Sequence, residues 1–326
     1  MSDRQAVVQS LNQLGSQKIP FLFILDFELK SPIIYPLKEL NARSDILYQV
    51  LDARNFSLTD VLAYHSLSLK KNPLSFTQYK RAFDQVQEAI KRGNSFLVNL
   101  TFPTEITINA TLKELFYRSQ AKYKLWVEDR FVVFSPETFV EIKAGTIYTY
   151  PMKGTIDAAV DNAEAVILAD EKEMAEHVTI VDLLRNDLSI YAKKVKVDKF
   201  RYLESIETNS GKLLQVSSQI SGKLPPDYHC KLGNILVSLL PAGSISGAPK
   251  AKTLEIIRAA EGYQRGYYSG VFGIFDGTDL RSAVMIRFIE KIGNKYYFKS
   301  GGGITIFSEV EKEYQELLQK VYVPIV

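Results

Sequence analysis

The chain has 326 residues, 46% of them hydrophobic, which is enough to bury a large core without a disulfide or a structural metal. Lys and Arg number 40 against 37 Asp and Glu, a formal charge of +3 with no basic stripe, so a nucleic-acid groove is not expected. No stretch approaches the roughly 20 apolar residues of a membrane span, Cys230 is the single cysteine, and the opening Met-Ser-Asp-Arg-Gln lacks a signal-like apolar run; a cytoplasmic globular protein is expected.

The apolar run Ile19–Asp26 reads as a buried strand. Thr77–Arg92 reads as a helix: Tyr79, Phe83, Val86 and Ile90 recur at spacings of three and four, and Gly93 follows as a stop. Strands are predicted at Ser95–Thr101, Lys122–Glu128, Phe131–Phe134, Phe139–Lys143 and Thr146–Tyr150. One long helix is predicted from about Asn162 to Asn186, with Asp161 as its cap and Glu164 as the capping-box partner. Strands follow at Lys194–Arg201 and Leu213–Ser221, then helices at Cys230–Leu239 and Pro249–Ala260. Strands at Gly270–Phe275, Ser282–Glu290 and Lys295–Ser300 precede a final helix from Ser308, with Glu311 as its capping-box partner, to about Tyr322. Strands come in consecutive groups with helices between them. That pattern predicts an α+β fold with a mainly antiparallel sheet in one large domain.

Four segments carry residues suited to chemistry. Glu173 and Glu176 are three apart on the long helix and share a face, and Glu313 and Glu316 repeat that spacing on the last helix. If the two faces meet, four carboxylates suit a hard cation such as Mg²⁺; the same spacing also fits a solvated surface. Ser300-Gly-Gly-Gly303 lets backbone approach a ligand closely, or forms a bulge or tight turn. Pro241-Ala-Gly-Ser-Ile-Ser-Gly-Ala-Pro-Lys250 combines turn residues with a helix start that attracts carboxylates, or is simply a well-made helix entry. Lys153, in a loop after an apolar strand, is a candidate amine nucleophile if burial lowers its pKa; a lone Lys is otherwise a solvated charge. His177 and Asp182, five residues apart on one helix, do not face each other well and read as structural.

Together these segments resemble the chorismate-utilising enzymes, the family of anthranilate, aminodeoxychorismate, isochorismate and salicylate synthases. The resemblance rests on Ile90–Thr101, Ser135-Pro-Glu137, Pro151-Met-Lys-Gly-Thr155, Glu176–Asp187, Pro241–Lys250, Ser300–Gly303 and Glu313-Tyr-Gln-Glu316. It spans residues 77–322, with an abbreviated part at 1–76, and implies large mainly antiparallel sheets forming a sandwich flanked by helices. It further implies that Glu176 and Glu316 ligate Mg²⁺ while Glu173 and Glu313 hold its waters. Arg287, Tyr268, Lys320 and the amides of Gly302 and Gly303 are implied to hold the enolpyruvyl carboxylate of chorismate. Ser244 and Thr155 fall among the substrate-binding positions, and Glu137 matches the acid that assists departure of the 4-hydroxyl.

Lys153 is the discriminating residue. Anthranilate synthases carry Ala at this position of the Pro-x-x-Gly-Thr segment and aminodeoxychorismate synthases carry Lys, so the resemblance implies formation of 4-amino-4-deoxychorismate on the route to para-aminobenzoate and folate. The alternatives are an anthranilate synthase component and a silent partner-binding subunit. Two positions depart from the pattern: Leu97 stands where aminating members have Gln, and Gln215 where a His is expected. A tryptophan feedback site is not recognisable. Cys230 lacks a Gly-x-Cys-x-Gly turn, so ammonia is expected from solution or from a separate glutamine amidotransferase subunit. Desolvation of Lys153 is expected to depress its pKa modestly.

Overall fold

The computed structural model describes residues 3–40, 42–57, 66–208 and 211–325. Among them, two nine-stranded sheets are built wholly from antiparallel pairs. The first runs Met152–Asp157, Gly211–Lys223, Thr146–Thr149, Thr138–Lys143, Leu280–Val284, Val271–Phe275, Phe21–Leu25, Ile33–Pro36, with Lys193–Thr208 also paired to Gly211–Lys223. The second runs Gly247–Ala248, Leu97–Ile108, Lys295–Ile304, Phe288–Ile292, Phe131–Ser135, Tyr123–Val127, Ile46–Val50, Ala53–Arg54, with Leu69–Asn72 also paired to Leu97–Ile108.

Alternation along single strands shows how the layers stack. In Phe21–Leu25 every residue is buried; Phe21, Phe23 and Leu25 enter one core with helices Asp3–Ser16 and Leu232–Ser238, while Leu22 and Ile24 enter another. That second core lies between the sheets, because Tyr48, Leu125 and Val133 of the other sheet meet it too. The opposite faces of those strands, Leu47, Trp126 and Val132, pack under helix Leu112–Arg118. Each fully buried Phe contributes about 1.5–3 kcal/mol, so the alternating run fixes both register and layering. The result is the α+β sandwich flanked by helices that the sequence predicts.

Local differences have local causes. The helix over Phe76–Lys91 carries the expected stripe, and Ser75 caps it reciprocally with Gln78. The long helix expected from Asn162 divides into Ala163–Ala169 and Glu171–Ser189. Asp170 between them is extended and its carboxylate accepts from the Glu173 amide at 2.9 Å. An Asp in mid-pattern has restarted the helix as its cap. The expected Asp161–Glu164 box does not form: Asn162 holds the cap position in the left-handed region with no side-chain cap bond. Likewise the last helix is Val310–Gln319; Ser308 turns its hydroxyl back to the Thr305 amide instead of capping it. The strand expected over Ser282–Glu290 is two strands in different sheets, Leu280–Val284 and Phe288–Ile292, with Arg287 between them at φ 52°.

Candidate active site

The chain passes between the sheets at two adjacent places, and these crossings position an acid and a base. One is Pro136–Glu137, between Phe131–Ser135 and Thr138–Lys143; the other is 285–287. They bond to each other: the Val284 amide donates to the Glu137 carbonyl at 3.1 Å and the Phe134 amide to the Arg287 carbonyl at 3.1 Å. Ser244, on the short turn Gly243–Ile245, donates its hydroxyl to Glu137 Oε1. Burial raises the Glu137 pKa, and Ser244, Arg287 and Lys320 pull it back only in part, so the carboxyl holds its proton more readily than a solvated glutamate does. Arg287 Nε donates to Tyr322 Oη at 3.4 Å, and among the described residues its guanidinium forms no ion pair. Tyr268 is 4% exposed and burial pushes its hydroxyl up to about 12, so it remains a neutral donor.

The second wall is acidic. Glu173 and Glu176 project from helix Glu171–Ser189, which packs on Gly211–Lys223, Lys193–Thr208 and Met152–Asp157. Lys153 lies in the last of these strands and not in a loop. The strand pairs Met152 with Ser217 and Thr155 with Gln215, so Lys153 and Gly154 together face one residue, Val216. This is a bulge, the device that re-aims a side chain, and Gly154 supplies its positive φ of 84°. A Cβ on Gly154 would also lie 3.2 Å from Glu173 Oε2, so the missing side chain makes room for the acid. The re-aimed Lys153 Nζ stands 2.5 Å from Glu176 Oε2. The bulge breaks the alternation along this strand, which is why it escapes a periodicity reading.

The glycine run is part of strand Lys295–Ile304, paired residue for residue with Leu97–Ile108, and neither a turn nor a bulge. A Cβ on Gly302 would lie 3.2 Å from both Glu313 Oε2 and Glu316 Oε1, and one on Gly303 would lie 3.9 Å from Lys153 Nζ. Glu313 and Glu316 thus lie against the backbone at Gly302 and the Lys153–Glu176 pair lies beside Gly303, and Lys153 feels the charge of Glu173 and Glu316 as well. Lys320 Nζ closes the end, bonding Gly301 O at 2.9 Å and Glu316 Oε1 at 2.5 Å. The amides divide their work. The Thr101 and Asn99 amides point away from the glycine strand, to Glu261 Oε1 and Ser246 O. Their partners Gly301 and Gly303 thus form non-bonded pairs and turn their own amides to the open edge, since pairing with Phe288–Ile292 ends at Lys299. Gly302, opposite Leu100, spends its amide inside the sheet; of the two amides expected to hold a carboxylate, only that of Gly303 is presented.

The electrostatics follow from this crowding. Burial works against the Lys153 ammonium, but Glu176, through charge and hydrogen bond, and then Glu173 and Glu316 outweigh it, and the amine is held above its ordinary value. The modest depression expected from desolvation is reversed, because the ammonium occupies the middle of the acid cluster. Among the described residues, no three His, Cys, Asp or Glu side chains stand closely enough to hold a metal as they lie. The donor set nevertheless fits a hard cation: carboxylate oxygens only, from two helices, around a centre that already attracts a positive charge.

Thr155 is exposed on its strand opposite Gln215. Leu97 is 5% exposed and lies against the Gly303 position. His177 is fully buried and bonds Ser218 Oγ at 2.6 Å, a structural contact as the sequence indicates; Asp182 is on the surface with Arg185. Two ion pairs escape a motif reading because their partners are distant or ordinary in sequence: the partly buried Asp187 with Lys250 at 2.6 Å, joining two helices, and the fully buried Glu261 with Arg265 at 2.5 Å. A separate cavity of ≈ 220 Å³ includes Asp52, Glu141 and Arg281 in its lining, shares no residue with the acid cluster, and has Asp52 committed to Arg281 at 2.6 Å.

Residues 56–325 match the family model of chorismate binding enzymes. An uncharacterized PabA-like protein of Pasteurella multocida is 52% identical over 320 residues, which is 98% of each chain. Aminodeoxychorismate synthase component 1 of Bacillus subtilis is 31% identical over 265 residues, 77% of this chain and 55% of that protein, so the match spans about half of the relative. The crystal structure of anthranilate synthase component I from Streptococcus pneumoniae TIGR4 superposes with a TM-score of 0.68 at 27% identity, covering 79% of this chain and 59% of that one. The matched span runs through every wall of the acid-lined cleft, and the chain belongs to the family of chorismate-binding enzymes.

Proposed function

We propose that this chain is the chorismate-binding component of an aminodeoxychorismate synthase, replacing the 4-hydroxyl of chorismate by an amino group with ammonia from a separate glutamine amidotransferase. The observation that carries this reading is the Lys153 bulge, which delivers a primary amine into the acid cluster 3.9 Å from where a Gly303 side chain would begin. An amine beside the acid cluster supports a reading of nucleophilic substitution at the ring. Sequence relatives include both aminodeoxychorismate and anthranilate synthase components, and Lys153 is the residue that favours the former.

In the proposed reaction the Gly303 amide, Arg287, Lys320 and the Tyr268 hydroxyl hold the enolpyruvyl carboxylate. Glu176 and Glu316 would ligate Mg²⁺, with Glu173 and Glu313 on its waters; the ion would anchor the ring carboxylate and offset the acids that keep the Lys153 amine charged. Neutral Lys153 attacks C2 of the ring. The two ring double bonds shift towards C4, and the hydroxyl leaves from C4 as water with the proton of Glu137. Ammonia then bonds to C4, the double bonds return, and the C2–N bond to Lys153 breaks as the amine recovers a proton. The sum is chorismate plus ammonia to 4-amino-4-deoxychorismate plus water, with the pyruvyl group retained. Leu97 places an apolar side chain beside Gly303 and itself offers no group that could activate water.

The reading is tested by incubating the protein with chorismate, Mg²⁺ and ammonium and identifying the product by mass spectrometry. Aminodeoxychorismate is the expected product; anthranilate, seen by its fluorescence, would transfer the chain to the other branch.

A further inference from the structure

Arg265 touches none of the groups that would meet substrate, yet it bonds to the backbone or neighbour of three of them. It is 1% exposed and lies just after helix Lys250–Glu261. Nη2 donates to Asn99 O at 2.7 Å and to Glu261 Oε1 at 2.5 Å; Nη1 donates to Ile245 O at 2.8 Å and reaches Ser269 Oγ at 3.4 Å; Nε donates to Glu261 Oε2 at 2.9 Å. All five N–H donors are aimed. Glu261 Oε1 in turn accepts from the amide and the hydroxyl of Thr101, both at 2.8 Å.

The three elements so joined are not otherwise adjacent in sequence. Asn99 and Thr101 are the register partners of Gly303 and Gly301, Ile245 follows the Ser244 that bonds Glu137, and Ser269 follows Tyr268. We propose that Arg265, held by Glu261, is a positioning residue: its fork sets the spacing between the glycine strand, the Ser244 turn and the Tyr268 segment, and so holds the carboxylate anchor and the acid in one geometry. The inference rests on the chorismate reading for its catalytic consequence, while the clamp itself is a statement about backbone positions. A guanidinium is needed because a lysine has no planar fork with which to bond two separate carbonyls and a carboxylate at once.

The test uses Arg265→Lys, which keeps a charge beside Glu261, and the double variant Glu261→Gln/Arg265→Met, which removes the buried pair without leaving a lone charge. Hydrogen-exchange mass spectrometry should show 97–101, 243–246 and 268–270 exchanging about tenfold faster in both, with Phe76–Lys91 unchanged. Turnover of chorismate should fall about 10- to 100-fold. The alkaline limb of kcat should move to higher pH, as in Ser244→Ala, because the Ser244 hydroxyl no longer supports the Glu137 carboxylate. A merely structural role would lower the amount of active enzyme and leave that limb in place. If Arg265→Lys fails to fold, the double variant decides. Wild-type exchange in all three segments, or lost activity with an unmoved limb, would overturn the proposal. A wild-type protein that turns over no chorismate would instead contradict the functional reading, and the exchange comparison would still decide the clamp.

Discussion

Replacing Lys153 by Met should tighten Mg²⁺ binding even though it removes the proposed nucleophile. Lys153 Nζ is 2.5 Å from Glu176 Oε2, so a metal held as proposed would compete with the ammonium for one carboxylate. At an effective dielectric of about 20, two unit charges ~4 Å apart interact by about 4 kcal/mol. A dication among the same acids would therefore meet about 8 kcal/mol of repulsion from an ammonium that stayed in place, twice the unit-charge value. The lysine escapes most of this by swinging away, at the cost of its bond to Glu176. A residual advantage of about 1.4–2.8 kcal/mol for the methionine variant corresponds to about 10- to 100-fold tighter binding. Methionine fills the space with a flexible apolar chain of similar length. Isothermal titration with Mg²⁺ alone, in the absence of chorismate, measures the effect, with Glu176→Gln as the variant expected to lose binding. Unchanged or weaker affinity in Lys153→Met would refute the idea that the lysine and the metal share the acid centre.

Three further outcomes follow from single contacts. Gly302→Ala places a methyl 3.2 Å from Glu313 Oε2 and Glu316 Oε1, and Mg²⁺ affinity and kcat/KM should each fall about tenfold with Tm nearly unchanged; wild-type kinetics would show that the acids tolerate displacement. In the proposed reaction Glu137 is the acid and burial raises its pKa, so activity should fall as pH rises through it; Ser244→Ala removes a bond that favours the carboxylate and should move that limb upward, read from the pH profile of kcat. Lys250→Ala leaves Asp187 largely buried without its partner at 2.6 Å and should cost about 2–4 kcal/mol in urea unfolding, while chorismate KM in the remaining folded protein stays near wild type.

How much of this was legible in the sequence depended on whether the signal was periodic or topological. The helix at Phe76–Lys91 and the strands Phe131–Ser135 and Thr138–Lys143 were readable because apolar spacing reports a buried face. The strand Met152–Asp157 was not, since an edge strand interrupted by a bulge has no clean alternation and its glycine reads as loop. Ser282–Glu290 read as one strand because both halves are apolar; the change of sheet at Arg287 is a backbone event that no residue type announces. Within the site, the Glu pairs were visible as shared helix faces, but the packing of Glu313 and Glu316 against Gly302 depends on strand pairing between residues 202 positions apart (302 − 100, Leu100 and Gly302 in register). The Arg265 clamp was invisible for the same reason: the acceptors that tie it to distant segments include the main-chain carbonyls of Asn99 and Ile245, and carbonyls leave no mark in a sequence.

The central claim is that the amine of Lys153 bonds to the substrate ring, and the intact mass of the protein quenched during reaction tests it most directly. With chorismate and Mg²⁺ but no ammonia, the account predicts a species heavier by chorismate less one water, mapped to Lys153 by peptide analysis and discharged when ammonium is added. A Lys153→Ala protein that aminates chorismate at the wild-type rate, with no adduct on the wild-type chain under the same quench, would contradict it.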